Sequence, residues 1–189
     1  MRPHVQRAVL LTLLALLLAL SACGGEDEQT YGGAEALPGP LPSGVEFEEP
    51  PAGGVPAPDF TAELLDGSEV TASDLWGDRP VVVVFTASWC EACKEQHARV
   101  AETVAEHEGV ALLAVVPGDD AEAAREYAAE LEVDHPVAVA DDRVWLDWAA
   151  REPPVVVLVA PGGTVLRGWP GGVEPAVLSD QLDALAPAQ

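Results

Sequence analysis

Apolar residues fall along the chain in three patterns. The first is a single greasy run from Ala8 to Leu20, broken only by Thr12. The second is a set of short continuous runs: VVVVF (81–85), VALLAVVP (110–117), PVAVA (136–140) and VVVLV (155–159). Runs of this length bounded by turn formers predict strands; the β-branched VVVVF is expected to be buried on both faces and VALLAVVP to be another buried strand, with PVAVA a short one. The third is helical. Cys93, His97, Val100 and Val104 recur at spacings of three and four, which predicts a helix from about Glu91 to Glu108.

The remaining segments complete the order. DFTAELLDGSEVTASDLWG (59–77) predicts a short strand, a turn at Asp66-Gly67, a second short strand and a capped turn at Ser73-Asp74. Helices are expected over AEAAREYAAELEV (121–133), RVWLDWAARE (143–152) and EPAVLSDQLDAL (174–185). VVVLVAPGGTVLRGW (155–169) predicts two strands joined by a turn at Pro161-Gly162-Gly163. The order β-β-β-α-β-α-β-α-β-β-α predicts an α/β domain, a mixed sheet covered on both faces by helices.

The N-terminal third has a different texture. Residues 24–55 are rich in Gly, Pro and Glu with no apolar period, which predicts a disordered tether extended by its prolines and acids. The run ending at Leu20 is shorter than the roughly 20 residues a spanning helix needs. With Arg2 and Arg7 before it and Ser21 and Ala22 after it, it predicts a secretory signal. LSAC (20–23) resembles the bacterial lipobox, which implies cleavage before Cys23, lipidation of its thiol, and anchoring at the outer face of a membrane. The expected organisation is a signal over 1–22, a lipid-anchored tether over 23–55 and a folded domain over 56–189, all of the mature chain outside the cytoplasm.

Composition narrows the function. The 189 residues include 32 acidic and 9 basic ones, a formal charge of −23. Such a field repels phosphates and argues against nucleic-acid partners. It keeps the surface solvated and suits basic partners. Three cysteines do not make a disulfide framework.

Two of them stand in TASWCEACKEQ (86–96), as Cys90 and Cys93. Covalent haem attachment needs CxxCH, and Lys94 follows here. Zinc needs four ligands. His97 adds one at Cys-x3-His, but no second cysteine pair exists, and His107 and His135 read as surface or turn residues. A disulfide across two residues closes too small a loop to restrain an unfolded chain much. Redox exchange remains, with no cofactor and no metal expected. Cys90 sits where a buried strand gives way to a helix, whose free N–H groups and positive dipole end favour a thiolate. Cys93, one turn inward, can attack a mixed disulfide formed at Cys90. Cys90 is thus the expected nucleophile and Cys93 the resolving thiol. Glu91 opposes the thiolate while Lys94 favours it. A thiolate stabilised only weakly points toward a reductant.

FTASWCEACKEQ (85–96) resembles the active-site segment of the thioredoxin superfamily, and in particular the TlpA/ResA-type membrane-anchored thiol-disulfide oxidoreductases. APDF (57–60), LDG (65–67) and SDLWG (73–77) resemble that family's N-terminal β-hairpin, which it shares with peroxiredoxins. PPVVVLVAPGG (153–163) resembles its cis-proline strand, with Pro154 in the cis-proline position. A proline heading a strand also costs no ladder hydrogen bond. The resemblance spans about residues 55–186. It implies a thioredoxin-like fold with an N-terminal hairpin extension and an enzyme exchanging disulfides with cysteines of exported proteins, apocytochrome c among them. It also implies a membrane electron donor for a reductase, and a Pro154 that lies against the two sulfurs and docks substrate backbone. Trp89 precedes the nucleophile as in the family.

Several positions depart from that pattern. Val84 stands where relatives carry an Asp or Asn, Gln96 (beside Glu95) where many carry a Glu, and Ala92 where a Pro is usual. Pro153 has no N–H for a substrate carbonyl. Two other functions remain open on the residues. A thiol peroxidase of peroxiredoxin type needs P-x-x-x-T/S-x-x-C, and Val83 and Ala87 occupy those places. A lipoprotein that uses the fold only to bind a metal or partner would keep its effect without either cysteine of the pair.

Overall fold

The four continuous apolar runs form the centre of one mixed sheet. The computed structural model describes residues 31–48, 50 and 53–186; the signal segment 1–22 and Cys23 lie outside them. The strands are β1 (Val55–Pro56), β2 (Thr61–Leu64), β3 (Glu69–Thr71), β4 (Val81–Phe85), β5 (Ala111–Pro117), β6 (Val137–Ala140), β7 (Val155–Ala160) and β8 (Thr164–Pro170). Their order across the sheet is β1-β8-β7-β4-β5-β6-β2-β3. β4 runs parallel to β5 and β5 to β6, whereas β7 is antiparallel to both β4 and β8. All five residues of β4 are buried, as a central strand covered on both faces requires.

The helices are α1 (Ala72–Leu75), α2 (Glu91–Ala105), α3 (Ala121–Glu130), α4 (Asp142–Asp147) and α5 (Pro175–Asp183). Side chains alternate across a strand, and the core divides accordingly. Val82, Val84, Leu112, Val156 and Leu158 face α2 and α5, meeting Val100, Val104, Leu178 and Leu182. Ala114 and Val116 meet Ala124 and Ala128 of α3. The odd-numbered positions Val81, Val83, Phe85, Leu113, Val115, Val157 and Val159 face the other way, onto Phe60, Leu75, Trp76 and Trp148. The β2–β3 hairpin turns at Gly67, whose φ of 84° suits glycine, and joins the sheet beside β6. This is the expected thioredoxin-like architecture with its hairpin extension.

Four local expectations are corrected. β1 adds an edge strand on β8 that no pattern marked. The turn expected at Ser73-Asp74 is the short helix α1, and Ser73 does not cap it. Its N–H and hydroxyl instead bind the Asp59 carboxylate at 2.9 and 2.8 Å. The helix expected over 143–152 stops at Asp147, because the chain reverses through Ala149 (φ 54°) to reach Pro153. Residues 31–48, expected within a disordered tether, lie along the domain. The Gly32 carbonyl accepts from Val137 N at 2.9 Å, Ala34 N donates to Asp66 at 2.8 Å, and Glu48 N donates to the Leu185 carbonyl at 2.9 Å. Phe47 packs against the α5 side of the core. A few spaced apolar residues and backbone groups suffice to hold an aperiodic segment against a finished sheet.

Candidate active site

Strand register brings the two halves of the site together. Phe85, the last residue of β4, pairs with Val155, the first of β7. The loop that leaves β4 and the loop that enters β7 therefore emerge at the same end of the sheet. The first carries Trp89 and Cys90, the second Pro153 and Pro154.

Cys90 stands at the N-cap of α2 and Cys93 lies in its first turn. They form a disulfide with an S–S distance of 2.05 Å, the bond the helical spacing permits. Cys93 N donates to Cys90 Sγ at 3.2 Å, so a helix-terminal N–H is aimed at this sulfur, a contact that favours a thiolate. The two sulfurs differ in access. Cys93 is fully buried, whereas Cys90 is half-buried at the surface. The Pro153–Pro154 peptide is cis, Pro154 is buried, and the Pro153 carbonyl oxygen lies 3.8 Å from Cys90 Sγ.

The loop bearing Cys90 is pinned from below. Ser88 N donates to the Asp120 carboxylate at 2.7 Å, and the Ser88 hydroxyl binds its other oxygen. Asp120 closes the 3-10 turn after β5 and is buried. Sequence reasoning missed it, since nothing in GDD (118–120) separates a buried acid from two exposed neighbours.

The flanking residues are disposed unequally. Trp89 is 69% exposed beside Cys90, and Glu91 is exposed in the first turn of α2. Lys94 turns to α3 rather than to the sulfurs: its Nζ lies 3.5 Å from the Glu130 carboxylate and 5.8 Å from the Tyr127 ring centroid. Val84 is buried in β4, and the Gln96 amide donates to the Val173 carbonyl at 2.9 Å. Neither position supplies an acid to Cys93.

A second cluster lies one turn beyond Cys93. His97 is buried, with Nδ1 at 2.7 Å from the Tyr127 hydroxyl and Nε2 at 2.6 Å from His135 Nε2. His135 Nδ1 lies 3.3 Å from Asp134 Oδ1, an acceptor, so this nitrogen carries the proton. His135 Nε2 is then an acceptor, His97 Nε2–H donates to it, and His97 Nδ1 accepts the Tyr127 O–H. Both imidazoles are neutral in this arrangement. Burial, with His135 adding to it, pulls His97 down to about 3. Burial also lowers His135 against the opposing pull of Asp134, and pushes the Tyr127 phenol up to about 12. His135 was expected at the surface or in a turn; it is buried because residues 133–136 lead into β6 beneath α2. The signal available in the sequence was His97 itself, a titratable group on the apolar stripe of α2. Among the described residues, no three His, Cys, Asp or Glu side chains are grouped to hold a metal.

On the opposite face, Trp145 and Trp148 pack on Phe85 at ring-centroid distances of 5.2 and 5.6 Å. Between α4 and the two active-site loops lies an open groove of about 810 Å³, bordered by Trp89, Trp145, Leu146 and Pro153.

Comparison with known proteins gives the following. Residues 52–146 match the family model described as Redoxin, a span that includes Cys90 and Cys93. No curated protein sequence matches the chain. Among solved structures, DsbF of Mycobacterium tuberculosis is 27% identical, with a TM-score of 0.60 over 66% of this chain and 93% of that one. A protein designated thiol:disulfide interchange protein DsbE from Chlorobium tepidum is 25% identical, with a TM-score of 0.64 over 69% and 95%. A secreted M. tuberculosis disulfide oxidoreductase homologous to E. coli DsbE shares the fold at 21% identity, with a TM-score of 0.59 over 67% and 96%.

Proposed function

We propose that this chain, which belongs to the Redoxin family and is a thiol-disulfide oxidoreductase of the thioredoxin superfamily, acts outside the cytoplasm on cysteines of exported proteins. The observation that carries the reading is the asymmetry of the pair: Cys90 half-buried at a helix N-cap, Cys93 wholly buried and bonded to it.

In the reducing direction both cysteines begin as thiols. The Cys90 thiolate attacks one sulfur of a substrate disulfide. That S–S bond breaks, the departing substrate sulfur takes a proton from water, and a Cys90–substrate disulfide forms. Cys93 then gives up its proton and attacks Cys90 Sγ, expelling the second substrate thiolate, which is protonated in turn. The substrate gains two electrons and two protons, and the enzyme is left as the Cys90–Cys93 disulfide. A dithiol donor resets it, and for a protein outside the cytoplasm that donor passes electrons across the membrane. Glu91, exposed in the first turn beside Cys90, opposes the thiolate and favours the reductant direction.

Pro154 is assigned to substrate docking against the sulfurs, with Trp89 beside them. Pro153 lacks the N–H that would donate to a substrate carbonyl, but its own carbonyl, 3.8 Å from Cys90 Sγ, is placed to accept a substrate amide. Lipidation at Cys23 would hold the domain at the outer face of the membrane. The secreted M. tuberculosis neighbour supports an extracytoplasmic place. No helix among the described residues is long and apolar enough to cross a membrane. Apocytochrome c is the substrate class that the TlpA/ResA resemblance adds.

The test is a trap. Cys93→Ser expressed in cells accumulates substrates on Cys90 as mixed disulfides, visible as dithiothreitol-sensitive adducts, and Cys90→Ser does not. Capture of no protein by Cys93→Ser, with the variant folded and its Cys90 thiol reactive, would overturn the assignment to protein substrates.

A further inference from the structure

The groove beside Cys90 has a composition that the exchange chemistry does not need. Trp89 and Leu146, both 69% exposed, stand on its border and leave large apolar surface in water. Side chains exposed to that extent around one depression mark a contact surface. The rim is charged. Asp119 comes from the turn after β5, Asp142 from the first turn of α4, and Glu152 from the loop before Pro153, with Arg151 as the one cation beside them. Three acids and one base leave the groove at 1 − 3 = −2.

These charges are unspent. None of Asp119, Asp142, Arg151 or Glu152 is in an ion pair among the described residues. Most of the other cations among the described residues are paired, for example Arg99 with Glu95, Lys94 with Glu130 and Arg143 with Asp147. Carboxylates from three separate elements converge on one apolar groove, outnumbering its single cation, Arg151, and the groove runs to Pro153, whose carbonyl oxygen lies 3.8 Å from Cys90 Sγ.

Resting on the thiol-disulfide reading above, we infer that this groove selects polypeptide segments in which the reacting cysteine is flanked by cationic side chains and one apolar side chain. The apolar side chain covers Trp145 and Leu146. The lysine or arginine heads reach the rim carboxylates, and an arginine can also lie over an indole face. The overall charge of −23 draws such segments in from a distance, and the rim orients them at short range. An acidic segment meets repulsion at both stages.

The experiment uses the reduced full-length protein and peptides whose single cysteine is capped as a mixed disulfide with 2-mercaptoethanol. One peptide carries two lysines and a leucine around the cysteine, the other two glutamates and the leucine. Release rates are normalised to each peptide's own reactivity with dithiothreitol, which removes differences intrinsic to the disulfide. At low ionic strength the lysine peptide should react about tenfold faster or more, the scale of electrostatic steering into a charged cleft. In 1 M salt, where the screening length is about 3 Å, the ratio should fall toward one. Changing the leucine to serine should slow the lysine peptide at least about threefold.

Two triple variants separate the groove from bulk charge. Asp119→Asn/Asp142→Asn/Glu152→Gln should bring the ratio below about threefold by weakening the rim's share of the steering. Glu102→Gln/Glu106→Gln/Glu108→Gln alters the distal part of α2 and the residues just past it, where Glu106 lies about 22 Å along the helix from Glu91. It removes the same charge and should leave the ratio as in the unmodified protein. Circular dichroism and urea midpoints establish that both fold. Equal normalised rates for the two peptides, or a preference that survives the groove triple, overturns the inference. Hydroxyethyl disulfide, small and neutral, tells the two readings apart. If it reacts and no charge preference appears, only the groove assignment falls; if neither it nor the peptides react, the exchange reading falls with it.

Discussion

Acid should weaken this protein through His97, and the size of the effect follows from its burial. In the unfolded chain the imidazole titrates at its ordinary value of about 6.5. In the folded protein burial holds it near 3. Between those values the unfolded state binds a proton that the native state refuses, so stability falls as pH falls, with a slope of about 1.4 kcal/mol per pH unit. The contribution is intact above 6.5 and is lost progressively as pH drops toward 3. At pH 5 the loss from this one residue is about 2 kcal/mol. That figure depends almost wholly on the unfolded value, as long as the native value stays below about 4. The groups around the ring do not rescue a charge: Tyr127 of α3 offers a hydroxyl, His135 is itself buried and lowered, and Asp134 bonds to the far nitrogen of His135. Lys94, over the Tyr127 ring, would repel a cation. The assay is urea unfolding of the oxidised protein between pH 8 and pH 5, beside His97→Gln, whose amide can still accept from Tyr127 and donate to His135. The variant loses overall stability, but its curve against pH should be flatter by about 2 kcal/mol over that range. The variant keeps every other ionisable group, so their contributions largely cancel in the difference. Parallel curves would mean that His97 is solvated or charged in the native state, and the assignment of two neutral imidazoles would be wrong.

Other consequences are sharper in sign than in size. Gly172 has a φ of +101°, and a Cβ there would strike the Gln96 side chain. Gly172→Ala should therefore cost about 1–3 kcal/mol in urea unfolding. Gly168→Ala, in open space, should stay within about 0.5 kcal/mol of the parent. Leu178→Ala empties a fully buried position between α5 and the sheet and should cost about 2–5 kcal/mol. Asp120→Ala removes both hydrogen bonds to Ser88 and frees the loop that carries Cys90. Thiol exchange at Cys90 should slow severalfold, whereas Asp120→Asn should recover part of the rate through its remaining acceptor. An unchanged exchange rate in Asp120→Ala would show that the carboxylate does not hold the loop.

Much of the protein is decided locally, and those parts were readable from residue order alone. The continuous apolar runs VVVVF and VALLAVVP read as central strands, because a strand covered on both faces buries every side chain of such a run. The stripe Cys93, His97, Val100, Val104 has to be a buried helix face, and two cysteines three apart at its start can bond across one turn. These relations span a few residues, and the chemistry of each side chain determines them. What lies between distant segments was not readable. Register between β4 and β7 sets Pro153 against Cys90, 63 residues away in sequence. Asp120 reaches Ser88 across 32 residues, and His97 finds Tyr127 and His135 across 30 and 38. An acid or a histidine in a polar stretch looks the same whether it ends in water or in a core. Only the closing of the sheet and the seating of α2 and α3 on it decide which polar groups lose their water and must satisfy one another. Residues 31–48 carry no periodicity of their own, and hydrogen bonds and packing to distant parts of the domain hold them in place.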